Sequence, residues 1–292
     1  MKAAIYGRSL DSNRSDFVQQ LFDKLVASDI EVFIYEPLYH FIRDAIHIKG
    51  HFIPFNKHEE IDGKADVLIS LGGDGTLLDT IELVRTADIP IMGINTGRLG
   101  FLASIAKEEV DFAVDALRSG KYVIDKRTML QLDSAAHFFG EVNFALNEIT
   151  LSRSDSGSMV VVHAYLNDEF LNSYFADGLI ISTPTGSTAY NMSCGGPIVM
   201  PNSENFVLTP IAPHNLNVRP IIISDKSILK LKVEGRNPRF LATLDSRSMP
   251  IETGTELYVR RADSHLSIVK LENHDFLTTL RSKLMWGLDK RT

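Results

Sequence analysis

The chain has 292 residues, which at about 150 residues per domain means two domains. With 44% hydrophobic and 23% charged residues it is globular in composition, which excludes a disordered chain. The net charge of −7, from 30 Lys and Arg against 37 Asp and Glu, excludes a broad nucleic-acid-binding surface and still allows a local phosphate pocket. One cysteine, Cys194, excludes an internal disulfide and a thiolate zinc cluster. The first apolar stretch is short and is broken by Arg8, unlike a signal peptide. No run approaches the roughly 18 apolar residues of a membrane span. The expectation is a soluble cytoplasmic protein with neither nucleic-acid nor membrane partners.

Strand and helix patterns alternate along the first part. Residues 2–6 read as a strand, Ser15–Ala27 as a helix with Phe17, Leu21, Phe22 and Leu25 on one face, and 30–34 as the next strand. Residues 66–71 form an apolar run ending at Gly72-Gly73, which suits a strand covered on both faces. A helix is expected over 76–85, a strand over 89–94 and a helix over 108–119. This alternation predicts a doubly wound parallel sheet with ligands beyond the carboxyl ends of its strands. From residue 122 short β segments take over: 142–144, 148–151, 160–166, 179–182, 221–223, 228–233, 240–244, 257–260 and 266–269. Turns such as Asn167-Asp168 and Asn237-Pro238 punctuate them, and the pattern predicts an antiparallel sandwich or barrel-like domain. Phe276, Leu280, Leu284 and Leu288 restore helical spacing over 275–288, a helix expected to pack back on the first domain. The predicted fold is α/β plus all-β: a doubly wound α/β domain over 1–121, a β-rich domain over 122–270 and a helical tail over 271–292.

Two turns carry the chemistry. Gly72-Gly73-Asp74-Gly75-Thr76 follows the buried strand and opens a helix. Glycines let a ligand approach the main chain, and a helix start offers unpaired N–H groups, so the turn is a phosphate seat. A carboxylate there repels phosphate, and Asp74 makes sense if it handles a metal ion or takes a proton from an attacking hydroxyl; a simple helix cap is the other reading. Neither G-x-G-x-x-G nor G-x-x-x-x-G-K-[ST] is present, which removes the usual dinucleotide and P-loop fingerprints. A second glycine-bearing stretch, Gly93-Ile94-Asn95-Thr96-Gly97-Arg98-Leu99-Gly100, is expected beside the first turn at the same sheet edge. Further on, Asp177-Gly178 leads a strand into Thr183-Pro184-Thr185-Gly186-Ser187-Thr188-Ala189-Tyr190. Its hydroxyls suit ribose and base edges, and Tyr190 suits stacking on a flat ring, although such a turn also serves simply to cap a helix. Cys194 reads as a small buried residue rather than a nucleophile. His47 and His51 are four apart but lack a third ligand, so no histidine-zinc site is expected.

With Asn147-Glu148, Gly195-Gly196-Pro197-Ile198, Pro210-Ile211-Ala212-Pro213-His214 and Leu244-Asp245-Ser246, these motifs resemble the NAD kinase family over about residues 66–246. The resemblance implies transfer of a phosphoryl group from ATP, or in some members polyphosphate, to the adenosine 2′-hydroxyl of NAD, making NADP. It implies a Rossmann-like N-terminal domain and a β-sandwich-like C-terminal domain, a divalent cation, with Mg²⁺ the expected metal, and a homodimer or homotetramer. Asp74 corresponds to the catalytic base, within a nucleotide-binding turn of Gly72, Gly73, Gly75 and Thr76. Asn147 and Glu148 correspond to NAD contacts, Asn147 at the adenine edge, and Asp177 to the nicotinamide-ribose side. Thr188, Ala189, Tyr190, Asn191, Met192 and Ser193 correspond to the adenine and ribose pocket, and Ala212 to the nicotinamide end. Asp245 and Arg247 match a loop that approaches the site. Asp79 and Arg247 depart from the residues some members carry. A lipid or sugar kinase sharing the glycine turn and a non-catalytic NAD sensor are the alternatives.

Overall fold

The computed structural model describes residues 1–8, 15–155, 159–272 and 275–286. The chain forms two compact units, Met1–Lys126 with Ser267–Thr292, and Arg127–Leu266.

The first unit begins β1 (Lys2–Gly7), α1 (Ser15–Ala27), β2 (Glu31–Tyr35), α2 (Glu36–Ile42), β3 (Phe52–Phe55) and β4 (Val67–Leu71). It continues through α3 (Asp74–Asp79), α4 (Ile81–Val84), β5 (Ile91–Asn95), β6 (Ile105–Ala106) and α5 (Val110–Ser119). The sheet order β5-β4-β1-β2-β3 is parallel throughout, the doubly wound arrangement expected. All five residues of β4 are buried, as a strand covered on both faces requires. Register places Gly7 beside Leu71 and Leu71 beside Ile94. The carboxyl ends of β1, β4 and β5 therefore share one edge, where Arg8, the glycine turn and Asn95 emerge. Pro54 is tolerated in β3 because that strand ends the sheet order. Where one helix was expected over 76–85, α3 and α4 meet at Thr80. Its hydroxyl donates to the Leu77 carbonyl at 2.6 Å, a back-bond that competes with a continuous helix.

The second unit holds most of β7 (Val123–Asp133), then β8 (Phe144–Ala145), β9 (Glu148–Arg153), β10 (Val160–Leu166), β11 (Glu169–Ala176), β12 (Gly178–Ser182) and α6 (Tyr190–Ser193). It goes on through β13 (Asn205–Ile211), β14 (Ile221–Ser224), β15 (Leu229–Gly235), β16 (Arg239–Leu244), β17 (Arg247–Glu252) and the start of β18 (Glu256–Lys270). One antiparallel sheet has the order β14-β13-β12-β9-β16-β17; in the other, β11, β10, β15 and β18 are consecutive. Ile149, Leu179, Phe206 and Ala242 of the first sheet share a core with Val162, Tyr174, Leu231 and Leu257 of the second, as in a sandwich. Asn167 and Asp168 both have positive φ, the turn geometry that a tight β10–β11 hairpin needs.

Where two strands were expected over 257–260 and 266–269, β18 is continuous. Its polar middle is held by Arg260 on Asp133 at 2.9 Å and Arg261 on Asp225 at 2.7 Å. From Ser267 the strand belongs to the first unit, where Ile268 pairs with Ile91. There α7 (Phe276–Leu284) starts at Asp275, whose carboxylate accepts the Thr278 N–H at 2.8 Å. It packs on its own unit through Phe276, 6.0 Å from the Phe101 ring, and Lys283, 4.8 Å over that ring. Leu288 lies outside the described residues.

Candidate functional site

In the first unit the site is the glycine turn and the loop beside it. Among the described residues, a Cβ on Gly73 or Gly75 would meet nothing within 4 Å, so none of them covers the main chain there. A Cβ on Gly72 would lie 2.2 Å from Thr76 Oγ1, so this glycine is required by the turn's own packing. Asp74 does not cap its own helix. Its Oδ2 accepts the Phe101 N–H at 2.8 Å, and its Oδ1 accepts those of Leu102 at 3.0 Å and Ala103 at 2.9 Å. Gly100 lies directly under this carboxylate; a Cβ there would sit 1.8 Å from Oδ1. The second glycine stretch is thus tied to the first, as their shared sheet edge predicts. Buried Asn95 folds that stretch, accepting the Gly97 N–H at 2.7 Å and donating to the Arg98 carbonyl at 2.6 Å. Arg98 itself is exposed. Asp79, at the end of α3, is held by a two-pronged Arg8 contact and by the Tyr6 hydroxyl at 3.3 Å.

In the second unit the hydroxyl-rich turn is pressed against Asn147. The Thr183 N–H donates to the Asn147 carbonyl at 2.9 Å, the Thr183 hydroxyl to the Leu146 carbonyl at 2.6 Å, and the Gly186 N–H to the Thr183 hydroxyl at 3.0 Å. A Cβ on Gly186 would lie 2.1 Å from the Asn147 carbonyl oxygen, so only glycine permits this approach. Arg127, buried, reaches Thr185 at 3.2 Å. Thr188 and Ala189 are half-buried, Tyr190 is 45% exposed, and Met192 and Ser193 flank it on α6. Asn191 is fully buried. Its amide donates to the Ser187 and Pro197 carbonyls, each at 3.1 Å, and its oxygen accepts from Thr209 at 2.6 Å. These bonds hold the Gly195-Gly196-Pro197 segment in place.

Asp245 repeats the arrangement of Asp74. In left-handed backbone between β16 and β17, it accepts the N–H groups of Leu146 at 2.8 Å, Asn147 at 2.7 Å and Glu148 at 3.2 Å. Arg247 donates to the Val142 and Phe144 carbonyls. Both residues expected on a loop approaching the site thereby fix the segment that carries Asn147 and Glu148. Glu148 is 9% exposed, and its Oε2 is buried with no hydrogen-bond partner among the described residues. Burial, and after it the charge of Asp245, pushes its carboxyl up to about 8. At the far end of β12, Asp177 pairs with Arg153 at 3.0 Å and its N–H donates to the Ile211 carbonyl, which puts it beside Ala212. Burial raises the Cys194 thiol, the opposite of an activated nucleophile.

Sequence models of the ATP-NAD kinase N-terminal and C-terminal domains match residues 51–122 and 146–271. An NAD kinase of Cytophaga hutchinsonii is 46% identical, with 99% of each chain covered. One of Christiangramia forsetii is 44% identical over the whole of both chains. The chain belongs to the NAD kinase family. Its fold matches a yeast NADH kinase solved with NADH at TM-score 0.87 and 23% identity, covering 98% of this chain and 88% of that one. It also matches an Archaeoglobus fulgidus NAD kinase solved with ATP at TM-score 0.76 and 23% identity, covering 98% and 99%. Sequence reasoning flagged Asp74, Glu148 and Asp245 but missed what holds them. Their partners are backbone N–H groups, which leave no residue signature.

Proposed function

We propose that this chain transfers the γ-phosphoryl group of ATP to the adenosine 2′-hydroxyl of NAD, giving NADP and ADP. The observation that carries the reading is full-length identity to NAD kinases at 46%, joined to a glycine turn whose acid is retained and firmly oriented. The bond formed is 2′-O–P, the bond broken joins the γ-phosphorus to the ADP oxygen, and the hydroxyl proton passes to Asp74. A carboxylate has about four lone-pair directions; the three N–H bonds leave one, on Oδ2, for the hydroxyl. The open main chain at Gly73 and Gly75 takes the donor's phosphate oxygens. A divalent cation offsets the donor's charge. Among the described residues no three His, Cys, Asp or Glu form a group able to hold a metal, which fits a cation carried on the triphosphate rather than a protein cage.

Asn147 and Glu148 contact NAD, with Thr188, Ala189, Tyr190, Met192 and Ser193 lining the adenosine pocket and Asp177 and Ala212 at the nicotinamide end. Asn191, Asp245 and Arg247 support these contacts from behind. The protein works in the cytoplasm as a homodimer or homotetramer; among the described residues no helix is long and apolar enough to cross a membrane. The test is NADP formation, followed with an NADP-specific dehydrogenase, from NAD, ATP and magnesium. NADP supports the reading. None, with polyphosphate and other divalent metals also supplied, refutes it, and NAD binding without turnover then marks a sensor.

A further inference from the structure

We propose that Glu148 works as a neutral carboxylic acid that donates its proton to an acceptor atom of the bound nucleotide, so that NAD affinity is lost when that proton leaves. This rests on the nucleotide-binding reading above and goes beyond it, because it fixes the protonation state in which the site binds.

The geometry makes Glu148 and Asp245 an unequal pair. They are linked through the backbone in both directions: the Glu148 N–H donates to the Asp245 carboxylate at 3.2 Å, and the Asp245 N–H donates to the Glu148 carbonyl at 3.0 Å. Burial pushes both carboxyls up. Asp245 alone has compensation, from three backbone N–H groups and the nearby Arg247 guanidinium. Two close carboxylates do not both ionise in a dry site, and the better-solvated one takes the charge. That one is Asp245.

The other groups around Glu148 do not offset a charge on it. The Arg247 guanidinium, bonded to the Val142 and Phe144 carbonyls, acts on Asp245. Arg153 is paired with Asp177 at 3.0 Å. On α6 and just beyond it, Tyr190 and Cys194 both sense Glu148, and Tyr190 also senses Asp177; each of these effects is acid against acid. Ser182, opposite Glu148 in the β9–β12 register, donates its hydroxyl to the Thr183 carbonyl at 2.9 Å. Among the described residues Oε2 therefore stays buried without a partner, an arrangement a neutral acid tolerates far better than a carboxylate. A ribose oxygen, an amide carbonyl or a ring nitrogen of the nucleotide is the class of acceptor such a proton serves.

The experiment is NAD affinity by titration calorimetry from pH 6.5 to 9.5 for the wild type and Glu148→Gln. Glutamine keeps one acceptor oxygen and a donor. The expected result is that wild-type affinity weakens by about tenfold per pH unit above the carboxyl's titration, while Glu148→Gln binds within about threefold of wild type at pH 7 and stays level. Affinity of the wild type that is flat to pH 9.5 overturns the proposal, as does loss of binding in Glu148→Gln at pH 7. Absence of NAD binding by the wild type at every pH refutes the nucleotide reading itself and the proposal with it. If the glutamine variant does not fold, infrared difference spectra of the wild type decide. A protonated carboxyl band that disappears between pH 7 and 9.5 supports the proposal, and no such band at pH 7 overturns it.

Discussion

Gly100→Ala probes Asp74 without touching its chemistry. The added Cβ would fall 1.8 Å from Oδ1 and 2.6 Å from the carboxyl carbon. To reach ordinary contact the carboxylate must retreat by roughly 1.5–2 Å. The bonds from Leu102 and Ala103, at 3.0 and 2.9 Å, do not survive that retreat. At about 1.5 kcal/mol for each bond to a charged acceptor, two losses cost about 3 kcal/mol. For a unit of this size that lowers the melting temperature by roughly 6–12 °C. A displacement of only 1 Å at a reacting group costs about a hundredfold in turnover, so kcat should fall at least that far while the carboxylate remains in the chain. The assays are thermal unfolding and NADP formation on the same preparation. Wild-type melting together with wild-type kcat would mean that the N–H clamp neither holds the loop nor aims the acid.

Gly73→Ala tests the opposite property of the same turn. Its Cβ meets no atom of the described residues within 4 Å, so melting should stay within about 2 °C of wild type while the KM for ATP rises at least about tenfold as the methyl blocks the donor; an unchanged KM contradicts the phosphate-seat reading. Glu148→Gln should stabilise the protein in a pH-dependent way. The native carboxyl holds its proton up to about 8 against an ordinary value of 4.5, so the folded state binds more protons than the unfolded one between these values and wild-type stability declines as pH rises through them. The variant lacks that decline, and its advantage should grow from about pH 4.5, reach about 3 kcal/mol at pH 7 and level off above pH 8; denaturant unfolding at pH 5, 7 and 8.5 checks this.

The parts of the fold visible in the sequence are those where one segment states its own environment. Val67, Leu68 and Ile69 running into Gly72-Gly73 define a buried parallel strand and the turn after it, and the structure has both. Asn167-Asp168 marks a hairpin for the same reason. β11 was not anticipated because Glu169–Ala176 lacks clean alternation: its inward side is filled by one large residue, Tyr174, while Phe170 and Phe175 stay exposed. β18 reads as two strands because Arg260, Arg261, Asp263 and His265 interrupt its apolar pattern, and only the distant carboxylates Asp133 and Asp225 show why a strand tolerates them. The site follows the same rule. The residue types at Asp74, Asn147, Glu148 and the Thr183–Thr188 turn signal chemistry locally. Asp245 clamping three N–H groups nearly a hundred residues earlier, and the Glu148 oxygen beside it that has no partner among the described residues, arise from tertiary proximity and have no local pattern.

The proposed passage of the NAD 2′-hydroxyl proton to Asp74 stands or falls with Asp74→Asn. Asparagine keeps the size of the side chain and an oxygen for the Leu102 and Ala103 N–H groups, but it removes the base and turns an amide donor toward the Phe101 N–H. With the base gone, kcat for NADP formation should fall by about 10²–10⁴-fold, with NAD affinity by calorimetry changed less than about threefold. Turnover close to wild type contradicts it and removes Asp74 from the chemistry.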